Sequence, residues 1–474
     1  MLFNSIEFVI FFPIVTAVYF AIPHRHRWAW LLAASCYFYL AFIPIYILIL
    51  GFTIVVDYFA GIWIEQSSGP RRKTMLGASL AANLGVLFVF KYYNFFTANA
   101  AGVLRTLGWT GNPWMLHILL PIGLSFHTFQ AMSYTIEVYR GNQRAERHFG
   151  IYALYVMFYP QLVAGPIERP QNLLHQFRET HRWNSSLAWE GFCLMLWGMF
   201  KKVVVADRMA VLANYSFDRP ESARGWIMLI GIYAFTFQIY CDFSGYSDIA
   251  RGAARVMGFE LMKNFDCPYF SRSISEFWRR WHISLSTWFK DYVFIPLGGS
   301  RGTALQTWAN LAVVFLLSGL WHGAQWTFVA WGALHAAFLI VGASTRSWRD
   351  RFRLHLPPVV QMLVVFHLAA FGWIFFRASS LRTAIKIITD LARPSAWTIA
   401  SLHGAALPNA LELQISAVSL VLLLTIEWTS RSRPWIPVLA GLPRFARAAV
   451  IYSSIIIILL FGRFTEQQFI YFQF

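Results

Sequence analysis

Long apolar runs, separated by short polar and basic turns, follow one another along almost the whole chain. A helix needs roughly 20 apolar residues to cross a bilayer, so the pattern predicts about 10 to 12 transmembrane helices. A β-barrel would show short alternating segments instead, and the predicted class is therefore an all-α polytopic membrane protein. The runs are Ile6–Pro23, Trp28–Ile64 with a break at Pro44, Met75–Phe90, Trp114–Thr135, Ile151–Pro166, Trp189–Val205, Trp226–Cys241, Leu311–Gly342, Val359–Phe376, Leu411–Ile426 and Ala448–Phe461.

Three stretches depart from this pattern. Ile151–Pro166 is apolar but is broken by two prolines and a glycine, which predicts a re-entrant segment packed in protein or lining a cavity. Leu120–His127 has the same character. Asp242–Thr303 is polar and aromatic without a long apolar run, which predicts amphipathic helices and loops at the inner membrane face. Packing of its apolar faces against the helical bundle would produce the same pattern.

Composition agrees with a membrane protein, since 57% of the 474 residues are hydrophobic and only 13% are charged. The net charge is +17, but the basic residues lie in short loops, as the positive-inside rule predicts, and nucleic-acid binding is not indicated. The basic turns His24–Arg27 and Arg71–Lys73 are predicted to be cytoplasmic, which places the N-terminus outside. A basic cytoplasmic rim could also attract a phosphorylated donor or an acidic carrier protein.

Two further features limit the interpretation. The first apolar run lacks a basic n-region and a small-residue cleavage motif, so it is predicted to be a retained helix and not a cleaved signal peptide. The four cysteines have neither paired spacing nor a CxxC motif, which indicates neither a disulfide framework nor a zinc site. They are Cys36, Cys193, Cys241 and Cys267.

The Leu311–Gly342 run carries His322 at its centre, within the sequence SGLWHG. An imidazole at membrane depth is costly to leave unpaired, and by default it marks a functional site that faces protein or water. Gly319 and Gly323 flank it and would allow close helix packing, a local break or a substrate chain near the backbone. The alternative is a structural histidine bonded to a neighbouring helix.

A second cluster contains His282, within the sequence EFWRRWHIS. On a continuous helix Trp278, Trp281 and His282 would share one face, at spacings of three and four residues, beside the basic Arg279 and Arg280. This arrangement predicts an aromatic and imidazole surface suited to a substrate. An interfacial amphipathic helix would show much the same pattern.

Asp242 and Ser244 lie at the predicted end of a crossing, in the sequence YCDFSGYSD, and are candidate substrate-binding residues. A carboxylate there could orient an imidazole by accepting its N–H. Capping of a helix by Asp and Ser is an equally good interpretation.

Histidine is the best chemical candidate in this sequence. The chain has no P-loop, HExxH, GxSxG or dinucleotide-binding motif. A neutral histidine can serve as a general base on a hydroxyl near pH 7, a contribution of roughly 10²–10⁴-fold. His335 is a weaker candidate as a partner of His322, because thirteen residues of straight helix would separate them by about 20 Å.

The sequence resembles the membrane-bound O-acyltransferase family. Within that family it resembles the bacterial branch that contains the alginate O-acetylation protein I and the D-alanyl transfer protein B of teichoic acid modification. The resemblance covers nearly the whole chain and is weakest over the last hundred residues. The matching stretches are Leu120–Phe129, FYPQLVAGPI at 158–167, YCDFSGYSDIARG at 240–252, EFWRRWHISLSTWFKDYVFIPLGG at 276–299 and LSGLWHGAQWTFVAWG at 317–332.

The resemblance implies a single integral membrane domain over residues 1–474, with a ring of helices around a central funnel and a catalytic core at 240–342. It implies that His322 is the essential histidine and His282 the second family histidine. The implied donor is acetyl-CoA or an acylated carrier, a substrate and not a permanently bound cofactor. The implied acceptor is a hydroxyl of an exopolysaccharide such as alginate or cellulose, reached through a periplasmic partner acyltransferase of a modification complex in the bacterial inner membrane.

Given that family, we expect His322 to deprotonate the acceptor hydroxyl and His282 to orient the thioester or the proton path. Trp321, Trp326 and Trp278 would wall a narrow tunnel, although aromatic packing alone explains them equally well. D-alanyl transfer from a carrier protein is the nearest alternative. A solute transporter and a scaffold of an envelope complex are alternatives from other classes, and the position of most carboxylates at the ends of apolar runs disfavours the transporter.

Overall fold

Helices make up the protein. The computed structural model describes residues 1–353, 356–398, 409–432, 435–464 and 469–470. The model is 76% helical and has no β-strand among the described residues. The all-α class predicted from the apolar runs is confirmed.

The chain divides into two compact units, Met1–Met195 with Ile249–Met262, and Leu196–Asp248 with Lys263–Phe474. The α-helices, including single turns, are Ile6–Ala21, His24–Leu40, Ile47–Gln66, Gly69–Leu87, Tyr93–Thr106, Leu124–Arg140, Phe149–Met157, Tyr159–Leu162, Pro170–Leu173, Ser185–Met199, Asp207–Phe217, Trp226–Val256, Ile274–Arg280, Ile283–Phe289, Ala304–His322, Trp326–Ser344, Arg346–Arg351, Pro358–Arg377, Leu381–Leu391, Ala410–Ser430, Trp435–Ala440 and Arg444–Phe461. The 3₁₀ turns are Pro44–Tyr46, His175–Arg178, Pro268–Phe270 and Pro394–Ala396, and the π-helical segments are Phe88–Tyr92, Phe200–Ala206 and Lys290–Phe294.

Within the described ranges, eight helices are long and apolar enough to cross a membrane, which makes this a multi-pass membrane protein. The spans are Pro44–Gln66, Gly69–Thr106, Trp226–Val256, Ala304–His322, Trp326–Arg351, Pro358–Arg377, Ala410–Ser430 and Arg444–Phe461. The sequence predicted ten to twelve crossings. The difference lies in shorter helices such as Ile6–Ala21, of 16 residues, and Leu124–Arg140, of 17 residues, most of which is buried.

One predicted boundary is wrong. The crossing expected to end at Cys241 continues as a single helix of 31 residues, Trp226–Val256. Its polar continuation is buried in protein instead of facing water, since Asp242 and Ser247 are at most 2% exposed. Asp242 pairs with Lys202, so a charged side chain inside the helix has a partner and gives no reason for the helix to stop.

The interruption predicted near Pro160 is confirmed. Helix Phe149–Met157 ends there and a single turn follows at Tyr159–Leu162; apart from Phe149, every residue of the two is buried. The carbonyl of Leu162 accepts a hydrogen bond from Nε2 of His127. Polar side chains of this unit therefore satisfy backbone groups that the break sets free, as membrane-depth breaks require.

The Leu311–Gly342 run forms a helical hairpin. Its first helix, Ala304–His322, ends at Gly323, and its second, Trp326–Ser344, begins three residues later. A β-carbon at Gly319 would lie 2.3 Å from the carbonyl oxygen of Phe328, so the backbones of the two helices touch. The glycines thus serve two of the three roles proposed for them, close packing and a local break, and passage of a substrate chain near the backbone stays a prediction. The straight-helix distance between His322 and His335 does not apply, because the chain turns back between them.

The hairpin yields a stability prediction. A β-carbon at Gly332 would lie 2.2 Å from the carbonyl oxygen of Phe315, whereas one at Gly342 on the same helix would meet nothing within 4 Å. We expect Gly332→Ala to lower the thermal stability of the detergent-solubilised protein, because a backbone atom cannot move aside. Gly342→Ala is the matched control and should leave the stability unchanged or raise it slightly, because alanine favours a helix more than glycine does. Equal melting temperatures for the two variants would contradict the packing.

Candidate functional site

His322 is the last residue of the first hairpin helix and is 4% exposed. Three aromatic rings surround its imidazole, with centroid distances of 5.0 Å to Trp321, 5.1 Å to Trp331 and 5.1 Å to Phe376. All three meet it edge-on or nearly so. The imidazole predicted to face protein or water is therefore enclosed by protein side chains.

His282 does not lie on a helix face with Trp278 and Trp281, and that prediction is wrong. The helix that carries Trp278 ends at Arg280, Trp281 is extended, and His282 has a left-handed backbone with φ 44°. A non-glycine residue in this conformation is uncommon and persists where its surroundings impose it. His282 is completely buried in the break before helix Ile283–Phe289.

A buried asparagine imposes that break. The carbonyl oxygen of Asn264 accepts the N–H of Ile283 at 2.8 Å, and its side-chain oxygen accepts the N–H and the hydroxyl of Ser284 at 3.2 and 3.0 Å. Its side-chain nitrogen donates to the hydroxyl of Ser247 at 3.3 Å. Asn264 thereby fixes the residue that follows His282, and with it the direction of the imidazole.

The fold brings His282 and His322 together, with their ring centroids 6.4 Å apart. Trp321 contacts both, at 5.9 Å from His282 and 5.0 Å from His322. The two imidazoles are therefore neighbours within one aromatic cluster. Of the residues proposed from sequence, these three form one cluster.

The electrostatic environment of His282 is apolar. Phe243 lies 4.6 Å from its ring and Phe265 stacks at 6.3 Å. His282 lies outside the eight spanning helices, and burial lowers its pKa to about 3. The ring is therefore neutral at physiological pH and retains a lone pair that can accept a proton or a hydrogen bond.

The other predicted tryptophans lie elsewhere. Trp278 packs against Trp331 at 5.6 Å and against His335 at 5.0 Å. It is therefore linked to His322 through Trp331. Trp326 opens the second hairpin helix and is 54% exposed. Their role as tunnel walls stays a prediction.

Asp242 and Ser244 lie in the interior of the long helix, so the capping interpretation is wrong for both. Asp242 accepts from the ammonium of Lys202 at 2.8 Å and from the backbone N–H of Ile470 at 2.7 Å. The same Lys202 also pairs with Asp207 at 2.9 Å. Ser244 is buried, and its hydroxyl has no hydrogen-bond partner within the part of the chain that the structure describes. Substrate binding by either residue is untested and stays a prediction.

Sequence reasoning missed several neighbours of the histidines. Trp331 lies inside a stretch that carried the family resemblance and could have been selected from it. Phe376 and Asn264 have no local signal, since they reach the site only through the tertiary fold. Lys202 did have a local signal, because a lysine within an apolar run needs a partner of opposite charge or a hydrogen-bond acceptor.

Comparisons with known proteins identify the family. A family model described as the membrane-bound O-acyltransferase family matches residues 144–381, which include both histidines. A protein of Azotobacter vinelandii, named "Probable alginate O-acetylase AlgI", is 38% identical over 427 residues, 89% of this chain and 83% of that protein. This chain belongs to the membrane-bound O-acyltransferase family. It is an O-acyltransferase enzyme, as the resemblance implied.

Two other members of the membrane-bound O-acyltransferase family mark the range of relatives. The "Peptidoglycan O-acetyltransferase" of Helicobacter pylori is 35% identical over 429 residues, 82% of this chain and 80% of that protein. The "Teichoic acid D-alanyltransferase" of Bacillus subtilis is more distant, at 25% identity over 273 residues, 54% of this chain and 68% of that protein. The O-acetylating relatives thus match more of the chain at higher identity.

The site yields a pH prediction. The folded-state pKa of His282 is lowered to about 3, below the unfolded value near 6.5. Its contribution to stability is therefore complete above pH 6.5 and is lost as the pH falls towards 3. Between pH 7 and pH 5 the wild-type protein should lose about 2 kcal/mol more stability than His282→Asn, from 1.36 kcal/mol per pKa unit.

Asparagine is chosen for this comparison because it tolerates positive φ. Unfolding of both proteins in detergent at pH 7 and pH 5 measures the difference. The same pH dependence in both would show that His282 is not held neutral by the fold.

Proposed function

We propose that this O-acyltransferase transfers an acetyl group from a cytoplasmic thioester donor, acetyl-CoA or an acetylated carrier, to a hydroxyl of an exopolysaccharide such as alginate or cellulose. The observation that carries the proposal is the buried pair His282 and His322, 6.4 Å apart. The alginate and peptidoglycan O-acetylating relatives, at 38% and 35% identity, support the acetyl group and the saccharide acceptor.

The proposed reaction needs one base and one leaving group. His322 takes the proton of the acceptor hydroxyl as its oxygen attacks the carbonyl carbon of the thioester. The carbon–oxygen bond forms, the carbon–sulfur bond breaks, and the proton passes from His322 to the departing thiolate. General-base help of this kind contributes roughly 10²–10⁴-fold. The aromatic enclosure of His322 excludes water, which would otherwise hydrolyse the thioester.

His282 is suited to a supporting role. Its ring is neutral and rigidly placed, since Asn264 fixes the backbone beside it. We assign it to orienting the thioester or the path of the proton. Trp321, which contacts both imidazoles, keeps them in their relative position.

The proposed setting is the bacterial inner membrane, with the N-terminus in the periplasm. The residues predicted as basic turns, His24–Arg27 and Arg71–Lys73, lie in the first turns of helices His24–Leu40 and Gly69–Leu87, and their charge supports this orientation through the positive-inside rule. The donor then arrives from the cytoplasm, and the acetyl group passes first to the hydroxyl that His322 deprotonates. A periplasmic acyltransferase partner within an export and modification complex carries it from there to the polymer.

Replacement of His322 tests the base. We expect His322→Ala to reduce acetylation of the surface polysaccharide at least about 100-fold, because the hydroxyl loses its proton acceptor. Mass analysis of the polymer from cells that carry each variant gives the measurement, with immunoblotting of membranes to confirm equal protein levels. His117→Ala, which removes an exposed histidine, is the control and should retain wild-type acetylation. Normal acetylation in the His322 variant would refute the assignment.

Transfer of a D-alanyl group from a carrier protein is the alternative within the family, and the Bacillus subtilis relative supports it at 25% identity. Purified membranes supplied in parallel with acetyl-CoA and with a D-alanyl carrier protein distinguish the two. We expect acetyl transfer at least about tenfold faster than D-alanyl transfer, a discrimination of about 1.4 kcal/mol. Faster D-alanyl transfer would replace acetate as the proposed acyl group.

Asp57 and Glu427 are carboxylates inside spanning helices, and both are buried. Both are already bound, Asp57 by the amide of Asn83 at 2.8 Å and Glu427 by the hydroxyl of Tyr240 at 2.5 Å. Family membership, and not the placement of carboxylates, therefore decides in favour of the enzyme.

A further inference from the structure

A separate cavity in the first unit has a strongly basic wall. Its volume is about 290 Å³, close to the lower end of the range for small-ligand sites. Two segments form it, the loop that follows helix Leu124–Arg140 and the short helices at 170–178. Its charged lining consists of Arg144, Arg147, Arg178, His175 and a single carboxylate, Glu146.

The carboxylate is already occupied. Glu146 is 8% exposed, and it accepts hydrogen bonds from both Nε and Nη2 of Arg178 and from the backbone N–H of His148. It therefore fixes Arg178 in the wall. Counted with Glu65, which pairs with Arg147, three guanidinium groups are set against two carboxylates, an excess of one positive charge before any protonation of His175.

The other two arginines differ in how they are held. Arg147 pairs with Glu65, which also accepts the backbone N–H of Ala145 at 2.9 Å. Arg144 is exposed, and its guanidinium makes no hydrogen bond or ion pair to any residue in the described ranges. The wall thus combines two guanidinium groups positioned by carboxylates with one that is available to a ligand.

We propose that this cavity binds a phosphate group. Guanidinium groups match phosphate oxygens in pairs of parallel hydrogen bonds, and they do so better than ammonium groups. The volume suits a phosphate or diphosphate group, and the rest of a larger ligand would lie outside the cavity. The phosphate belongs either to the nucleotide end of coenzyme A, which rests on the proposed function, or to the headgroup of an anionic phospholipid, which does not.

A solvated cytoplasmic loop would also be basic. In such a loop the side chains would extend into water independently of one another. Here Arg178 and Arg147 are instead fixed by Glu146 and Glu65, and two separate segments close around one space. This preorganisation is what a binding site provides and a solvated loop does not.

The test uses the full chain in phosphatidylcholine nanodiscs at low ionic strength. Binding of adenosine 3′,5′-bisphosphate by calorimetry probes the nucleotide source, and retention of phosphatidylglycerol by native mass spectrometry probes the lipid source. We expect Arg144→Gln to weaken binding of one of the two at least about tenfold, since it loses a charge-assisted pair. Arg105→Gln, an equally exposed arginine outside the cavity, is the matched control and should bind as wild type does.

Loss of bisphosphate binding alone assigns the cavity to the donor, and loss of phosphatidylglycerol alone assigns it to lipid. Unchanged affinity for both ligands in Arg144→Gln, or no binding to the wild-type protein, overturns the proposal. Acetyl transfer measured in parallel with His322→Ala keeps the two hypotheses distinct. If His322→Ala loses acetyl transfer while Arg144→Gln binds both ligands as wild type does, only the phosphate site is rejected. If His322→Ala retains acetyl transfer, only the proposed base is rejected.

Discussion

Enclosure of polar groups by protein is the constraint on which this molecule depends. An unsatisfied polar group in hydrocarbon costs several kcal/mol, so a histidine can be kept at membrane depth only if other side chains surround it. The second unit meets this requirement with aromatic rings, which contact both His322 and His282. Rings fill the volume without adding polar atoms on their faces.

The first unit satisfies the same constraint with hydrogen bonds. Asp57, inside a spanning helix, accepts from the hydroxyl of Ser79 at 2.6 Å and from the amide of Asn83. Glu168 accepts the backbone N–H of Met262 at 2.5 Å and the amide of Asn172 at 2.6 Å, and burial raises its pKa to about 7. Both of these buried carboxylates accept a hydrogen bond from another segment. The hydrogen bonds therefore satisfy the polar groups and also hold the segments together.

The sequence predicts the helical class and selects the two histidines as candidate site residues, because both inferences depend on local patterns of residues. The predicted helix boundaries were wrong where an ion-pair or hydrogen-bond partner from another segment determines where a helix ends. Lys202 stabilises Asp242 inside a helix that the polar residues had suggested would end. Asn264 breaks the helix before His282, although the spacing of Trp278 and Trp281 fits a continuous one. Such long-range effects leave no periodic signal in the residues that they act on.

The two imidazoles meet because the chain breaks its helices at both of them. His322 is the last residue of a 19-residue helix, and His282 lies between the helix that ends at Arg280 and the helix that begins at Ile283. Burial among phenylalanines lowers the pKa of His282 and keeps its ring neutral. A neutral ring on a fixed backbone suits the orienting role that we propose for His282, which leaves His322 as the proposed proton acceptor.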